Sequence, residues 1–124
     1  MIRRYVWNMD IHPTAHVAAS ALIDRTWPRG VHIGPDVLID EEAVLLTHDL
    51  TRGLYCDTRI GARTIIGARA IILPGVSVGA DCIIAPGTVV NRDVADGCCV
   101  SGNPMMVAAP DGAGGDAPVG AGAA

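Results

Sequence analysis

The chain has 124 residues, which corresponds to one domain. Half of the residues are hydrophobic, but only 3% are aromatic and phenylalanine is absent, whereas a globular core of this size normally uses several large rings. The formal net charge is −4 and there is no run of basic residues, which argues against a nucleic-acid-binding surface.

Aliphatic residues recur at every sixth position along the chain. Residues 1–10 are predicted to form a lead-in strand or cap, and the period begins at Ile11 with the blocks IHPTAH, VAASAL and IDRTWP. It resumes after RGVH with IGPDVL, IDEEAV and LLTHDL, and again after TRG with LYCDTR. An α-helix requires apolar residues at steps of three and four, and a half-buried strand requires alternation, so neither element explains this spacing.

The most regular part of the period spans residues 60–95 and reads IGARTI, IGARAI, ILPGVS, VGADCI, IAPGTV, VNRDVA. The first place of each block is Ile or Val, the fifth is small or β-branched, and the second is Gly in three blocks. We expect the first and fifth positions to point into a narrow interior, and the glycine to serve a corner whose backbone angles a Cβ would penalise. The period predicts an all-β fold, a parallel β-helix whose thirteen blocks make just over four coils.

The β-helix is predicted to occupy residues 11–108, including an exit turn and closing strand in DGCCVSGNPMMV. Residues 109–124 are almost entirely Ala, Gly, Pro and Asp, and we expect this tail to be disordered because it has little to bury. The four cysteines form no C-x-x-C pair, and MIRRYVWNMD lacks the apolar core of a signal peptide. These features predict reduced thiols and a cytoplasmic protein without a transmembrane segment.

The two interruptions of the period are predicted to mark a functional site. If the blocks rotate through three faces, IDRTWP, LLTHDL, IGARAI and IAPGTV share one face, and Arg29–His32 and Thr51–Gly53 both leave the helix at the same corner. His48 would then stack on Thr26, beside Asp24. Irregularities that cluster in space indicate a functional site. The alternative is that the two loops share a corner by coincidence, because solenoids tolerate loops at any position.

The blocks and the closing SGNPMMV resemble the hexapeptide-repeat acyltransferases, and most of all the sugar O-acetyltransferases. The resemblance covers residues 11–107 and implies a left-handed β-helix with triangular coils, assembled as a homotrimer with sites between subunits. It also implies direct transfer of an acetyl group from acetyl-CoA, without a metal, to a small-molecule acceptor. That acceptor is expected to be a hydroxyl of a sugar or glycan precursor.

His48 matches the family's general base, because it precedes the last coils and imidazole exchanges protons near neutral pH. Taken without the resemblance, a histidine between Thr and Asp is also typical of a solvated turn. Two carboxylates are candidates for orienting the ring. Asp24 is suggested by stacking, and Asp49 is the rival, although adjacent residues in a strand normally point to opposite sides.

In this family CoA lies along the coils in a groove between two subunits and contacts mostly backbone. The matching positions are Gly67, Ala85, Pro86, Asn91 and Arg92. The first three are predicted on the site face and the other two one corner further on, where Arg92 would meet a CoA phosphate. The closing Gly-Asn-Pro is followed by Met105 and Met106 instead of the family's usual basic residue, so one phosphate contact is missing from the pattern.

Two other classes of function stay open at this point. Gamma-type carbonic anhydrases share the left-handed helix and bind zinc through three histidines. Here His12 and His16 precede His48 and no histidine follows it, so the spacing disfavours that site. A non-catalytic scaffold or binding module is the third class, and it would need no irregular corner.

Overall fold

Short strands alternate with turns throughout the computed structural model, which describes residues 9–24, 26–49 and 51–108. The predicted tail and most of the predicted N-terminal cap lie outside these residues, so their predicted character stays a prediction. In chain order the strands are β1 (Asp10–Ile11), β2 (His16–Val17), β3 (Leu22–Ile23), β4 (Val31–Ile33), β5 (Leu38–Ile39), β6 (Val44–Leu45), β7 (His48–Asp49), β8 (Leu54–Tyr55), β9 (Thr58–Ile60), β10 (Ile65–Ile66), β11 (Ile71–Ile72), β12 (Ser77–Val78), β13 (Ile83–Ile84), β14 (Val89–Val90), β15 (Cys99–Ser101) and β16 (Met106–Ala108), and a 3-10 helix spans Pro28–Gly30.

Equivalent strands stack in three sheets, which together form the parallel β-helix that the period of six predicts. The first sheet has the order β1-β4-β9-β12, the second β16-β15-β13-β10-β5-β2, and the third β14-β11-β6-β3. Neighbours are parallel except β15 and β16, the closing pair, which are antiparallel. A bridge between Val78 and Val94 begins a fifth coil, so the prediction of just over four coils is confirmed for the described residues.

The first residue of each rung points inward and stacks on its equivalents in the neighbouring coils. In the second sheet this column runs through Val17, Ile39, Ile66, Ile84 and Val100. The fifth positions fill the remaining space with small side chains. Thr64, Ala70, Cys82 and Thr88 are examples that are completely buried. Both threonine hydroxyls donate to backbone carbonyls, at 2.6 and 2.7 Å, so their burial leaves no unpaired polar group.

Glycine at the second position has a different cause from the one predicted. Gly61, Gly67 and Gly79 are not among the glycines with positive φ. Instead, the next coil passes so close that a Cβ on Gly61 would lie 2.5 Å from the carbonyl carbon of Gly79. Among the described residues, the left-handed positions are shared equally by five glycines and five charged residues with φ between 58° and 61°, namely Asp36, Glu42, Arg63, Arg69 and Asp81.

The close approach predicts a large effect for Gly61→Ala. Its Cβ would meet backbone atoms 2.5–2.8 Å away, and backbone cannot rotate aside as a side chain can. We expect the free energy of unfolding to fall by about 2–3 kcal/mol, measured by urea denaturation. Gly34→Ala is the matched control, since its nearest backbone atoms are 3.1–3.3 Å away and it should lose clearly less. Equal losses would contradict the close-approach explanation.

The block LYCDTR does not form a rung, which corrects the predicted rotation of the faces. Its strand β8 pairs antiparallel with β7 in a hairpin outside the helix, and Leu54 is 44% exposed. As a result Ile66 stacks on Ile39, while Leu45 stacks on Ile72. IGARAI and IAPGTV therefore lie on a different face from LLTHDL, contrary to the prediction.

Both interruptions do leave the helix at one corner, as predicted. The first connects β3 of the third sheet to β4 of the first sheet, and the second connects β6 to β9, again from the third sheet to the first. The first interruption is shorter than predicted, because His32 lies inside β4 and pairs in register with Asp10 and Arg59. The four cysteines are free thiols. Within the described ranges no helix has the length and apolar character needed to span a bilayer.

Candidate active site

The two interruptions pack against each other at their shared corner. The hydroxyl of Thr47 donates to the backbone carbonyl of Trp27 at 2.8 Å, and the rings of Trp27 and Tyr55 lie 5.2 Å apart at an angle of 46°. Gly30 allows this contact, because a Cβ there would lie 2.2 Å from the backbone oxygen of Cys56. The hairpin that begins at His48 is thereby held in a fixed position over the corner.

His48 is held by Asp24, the partner that stacking suggested. Its ring atom Nδ1 lies 2.5 Å from Oδ2 of Asp24. The same oxygen accepts the backbone N–H groups of Thr47 at 2.9 Å and of His48 at 3.2 Å, and Oδ1 accepts the N–H of Thr26 at 2.8 Å. The Asp24 side chain is only 2% exposed, so this carboxylate is fixed from several directions at once.

These hydrogen bonds keep Asp24 ionised. Burial alone raises the pKa of the Asp24 carboxyl, but the bonds from the Thr47 backbone, the His48 ring and the Thr26 backbone outweigh it and leave the pKa below its ordinary value. An ionised carboxylate only accepts hydrogen bonds, so the Nδ1 atom of His48 must carry the hydrogen. In the neutral ring the free lone pair is then on Nε2, and this tautomer is the one that a general base requires.

A cavity of about 370 Å³ opens beside the His48 ring. Its lining consists of Leu46, His48, Asp49, Arg52, Leu73, Pro74 and Asn91. Leu46, Leu73 and Asn91 each follow an inward residue of the third sheet in successive coils, so the cavity runs along the corner where the interruptions leave the helix. One wall is therefore uncharged, made of aliphatic side chains and the Asn91 amide, and the hairpin supplies the other wall.

Asp49 organises the hairpin loop and not the His48 ring. Its Oδ1 accepts the backbone N–H groups of Thr51 and Arg52, and its Oδ2 accepts Nε–H of Arg52 at 2.7 Å. The Arg52 side chain, through this hydrogen bond first, holds the pKa of the Asp49 carboxyl below its ordinary value. Of the two carboxylates that the sequence left open, the structure gives the contact with the ring to Asp24.

His32 lies beside a larger groove, of about 830 Å³, on the outer face of the first sheet. Its two ring nitrogens contact Asp10 at 3.1 Å and Asp57 at 3.0 Å, so neither is left to accept a proton from a substrate. His12 contacts the hydroxyl of Thr14 at 2.9 Å, and His16 is exposed on the second sheet. Across residues 9–24, 26–49 and 51–108 no group of three or more His, Cys, Asp or Glu side chains is placed to hold a metal ion.

Comparison with known proteins places this geometry in a family. The bacterial transferase hexapeptide family, with six repeats, matches residues 57–92. A putative acetyltransferase of Staphylococcus aureus is 32% identical over 113 residues, which cover 86% of this chain and 70% of that protein. The chain belongs to the hexapeptide transferases.

Other relatives of this hexapeptide transferase are longer. The putative acetyltransferase YvoF of Bacillus subtilis is 32% identical over 102 residues, which cover 81% of this chain but only 59% of that protein. A galactoside O-acetyltransferase of Lactococcus lactis is 35% identical over 80 residues, covering 62% of this chain and 39% of that protein. The structure of a maltose O-acetyltransferase from Clostridium difficile matches with a TM-score of 0.67 and 21% identity, over 86% of this chain and 71% of that one. The fold is thus the left-handed β-helix, as the resemblance implied.

The structure divides the predicted CoA-binding residues of this hexapeptide transferase between two corners. Asn91 lines the cavity with His48, although it was predicted one corner away. Gly67 lies against Pro86 at the corner between the second and third sheets. A Cβ added to Gly67 would lie 2.6 Å from the backbone nitrogen of Pro86. Ala85 and Pro86 follow Ile84 at that same corner, so within one chain these residues do not share the His48 face.

Four further residues line the cavity that were not predicted from the sequence, namely Arg52, Leu46, Leu73 and Pro74. Leu73 and Pro74 were missed because LYCDTR was counted as a rung, which shifted every later block by one face. A signal for the hairpin was present in the sequence DLTRG, where Asp49 accepts the N–H of Thr51 and Gly53 adopts φ 67°. Asp followed by Gly in a short loop is typical of a turn, and a turn here separates two pairing strands.

Proposed function

We propose that this protein transfers an acetyl group from acetyl-CoA to a hydroxyl of a small acceptor, with His48 as the general base. One observation carries the proposal, namely that buried Asp24 holds the Nδ1 side of the ring in the tautomer that leaves Nε2 as a proton acceptor. The relatives named as acetyltransferases support the reaction class.

The chemistry follows from that geometry. Nε2 of His48 removes the proton from the acceptor hydroxyl as its oxygen attacks the carbonyl carbon of the thioester. The carbon–sulfur bond then breaks, and the imidazolium returns the proton to the departing thiolate. Asp24 stabilises the imidazolium between these steps, because its carboxylate lies against Nδ1.

The cavity fits the thioester end of acetyl-CoA. Leu46, Leu73 and Pro74 offer an aliphatic wall to the pantetheine arm, and Asn91 offers an amide. Arg92 follows Asn91 in the chain and is proposed to meet a CoA phosphate. Gly67, Ala85 and Pro86 lie at a different corner, so they can contact the same CoA molecule only if they belong to a second subunit. The cofactor proposal therefore depends on assembly.

We place the acceptor among sugars or glycan precursors, in the cytoplasm, as the resemblance and the cysteine usage suggest. Galactoside and serine acetyltransferases both occur among the relatives, so a hydroxyl is the acceptor group that fits these names best. The test is release of free thiol from acetyl-CoA across a panel of sugars, serine and amines, with zinc analysis of the same preparation. Transfer that survives chelation supports the proposal. Stoichiometric zinc with CO₂ hydration would favour the carbonic anhydrase alternative, and no transfer to any acceptor would favour a scaffold.

The outer face of the second sheet supports assembly into a homotrimer. Leu38, Ile65 and Ile83 are register neighbours there and are 39–50% exposed. The equivalent positions of the first sheet include Asp10, His32, Arg59 and Ser77. A contiguous aliphatic stripe beside a polar face is typical of a covered surface, and three copies around a cyclic axis would cover it.

The trimer proposal predicts a mass of about three chains by sedimentation at micromolar concentration. Ile65→Glu would bury a charge in the stripe without a partner, so we expect this variant to sediment as a single chain. Ser77→Glu is the control, because Ser77 faces outward on the first sheet and the variant should keep the trimer mass. A stable wild-type monomer would contradict both the trimer and the shared cofactor groove.

A further inference from the structure

Arg52 brings a guanidinium into the cavity that contains His48. Its Nε donates to Oδ2 of Asp49 at 2.7 Å, and its backbone N–H donates to Oδ1 at 3.2 Å. Within residues 9–24, 26–49 and 51–108, the side-chain hydrogen bonds of Arg52 go through Nε alone, so its terminal nitrogens keep their donors. The side chain is 67% exposed. Arg52 is therefore a cation with one edge fixed by the protein and the other edge open to a ligand.

The carboxylate of Asp49 does not occupy that open edge. Both of its oxygens are engaged inside the loop, one by the two backbone N–H groups and the other by Nε of Arg52. The remaining walls of the cavity are aliphatic or amide, apart from the His48 ring. An arginine held in this way presents its terminal nitrogens as a planar fork, and carboxylates and phosphates match that fork with two parallel hydrogen bonds.

We infer that the acceptor carries a carboxylate or phosphate near the hydroxyl that is acetylated, and that Arg52 binds this anion. The inference rests on the proposed function, since it assigns the substrate class of the same site. The cavity measures about 370 Å³, so an anion bound to Arg52 lies close to a hydroxyl presented to His48. The phosphates of CoA are the other source of an anion. They are separated from the thioester by the whole pantetheine arm, so with the thioester at His48 they fall outside this small cavity.

The experiment compares acceptors in pairs that differ in the anion. Galacturonate is paired with galactose, glucose 6-phosphate with glucose, and serine with serinamide, and kcat/KM is measured by thiol release from acetyl-CoA. We expect the wild type to favour the anionic member of at least one pair by about tenfold or more, the effect of one charge-assisted contact. Arg52→Gln should bring that ratio close to one, and Arg52→Lys should keep part of it because the charge remains without the fork.

Arg63→Gln is the matched control. Arg63 also donates from Nε to an aspartate at 2.7 Å, but on Asp81 at an outer corner away from the cavity, so its loss should leave the ratio unchanged. Equal or better turnover of the neutral member in every pair would overturn the inference and leave the proposed function standing. An equal loss of kcat/KM for the anionic and the neutral acceptor in Arg52→Gln would also overturn the inference. A raised KM for acetyl-CoA but not for acetyl-pantetheine would assign Arg52 to the cofactor instead, and no turnover of any acceptor would overturn the proposed function with it.

Discussion

His48→Ala is expected to lower kcat by about 10²–10⁴-fold while the fold stays intact. The variant removes the proton acceptor, but the backbone N–H of residue 48 still donates to Asp24, as do those of Thr47 and Thr26. The buried carboxylate therefore keeps most of its hydrogen bonds. The measurements are kcat by thiol release, KM for acetyl-CoA, and the melting temperature, of which only the first should change strongly.

The alternatives predict different results for the same variant. If His48 were a structural residue, any loss of rate would be matched by a loss of stability of about 1–3 kcal/mol for the broken buried hydrogen bond. If it were a zinc ligand, metal and activity would be lost together. Full activity in a well-folded His48→Ala protein would refute the assignment. His12→Ala is the control, since the ring contacts Thr14 and lies beside the groove of the first sheet, outside the cavity of His48, so its loss should not affect the rate.

Asp24→Ala is expected to damage both activity and stability, which distinguishes it from His48→Ala. It leaves the backbone N–H groups of Thr26, Thr47 and His48 without their acceptor in a buried place. We expect the free energy of unfolding to fall by about 3 kcal/mol. The ring also loses the partner that fixes its tautomer, so kcat should fall by about 10²-fold or more. Urea denaturation and thiol release measure the two effects.

The pH dependence of this stability loss has a definite sign. The pKa of Asp24 lies below its ordinary value of 3.8 in the folded protein, so its contribution is fully present above that value. It disappears as the pH falls through the lowered pKa of the folded state. The difference in unfolding free energy between wild type and Asp24→Ala should therefore be constant near neutral pH and narrow below about pH 4. A difference that narrowed already near neutral pH would contradict an ionised, hydrogen-bonded Asp24.

The contact between His48 and Asp24, the proposed catalytic pair, could be anticipated from the sequence because it depends on local spacing. Asp24 follows the inward Ile23 by one residue, and His48 follows the inward Leu45 by three. These two rungs are adjacent coils of one sheet, with Ile23 paired to Leu45. Only the first interruption lies between these two rungs, and it does not change which sheet the following rungs join. Counting in sixes was therefore sufficient to bring His48 and Asp24 together.

The side of the cavity proposed to bind CoA could not be anticipated in the same way. LYCDTR begins with an aliphatic residue and is followed by a regular block, so it satisfies the pattern of a rung. Whether Leu54 points inward depends on its pairing partner, and the structure pairs it with Asp49 in a hairpin outside the helix. Because this block is not a rung, Leu73 and Asn91 lie at the same corner as His48, and Gly67 lies at a different corner.

The sequence by itself determined the architecture of this protein, because a period of six with aliphatic first positions can bury its side chains only by stacking coil on coil. It also predicted that His48, the proposed base, lies beside Asp24, because the two residues follow neighbouring rungs, but it left Asp49 open as the rival partner. Only the tertiary structure decided which later residues face that base and that Arg52 shares its cavity. The physical reason is that the phase of a helical repeat accumulates along the chain. An insertion of nine residues between the inward positions Leu45 and Ile60 therefore shifts every position after it, and the hairpin in this insertion depends on long-range contacts such as that between Trp27 and Tyr55.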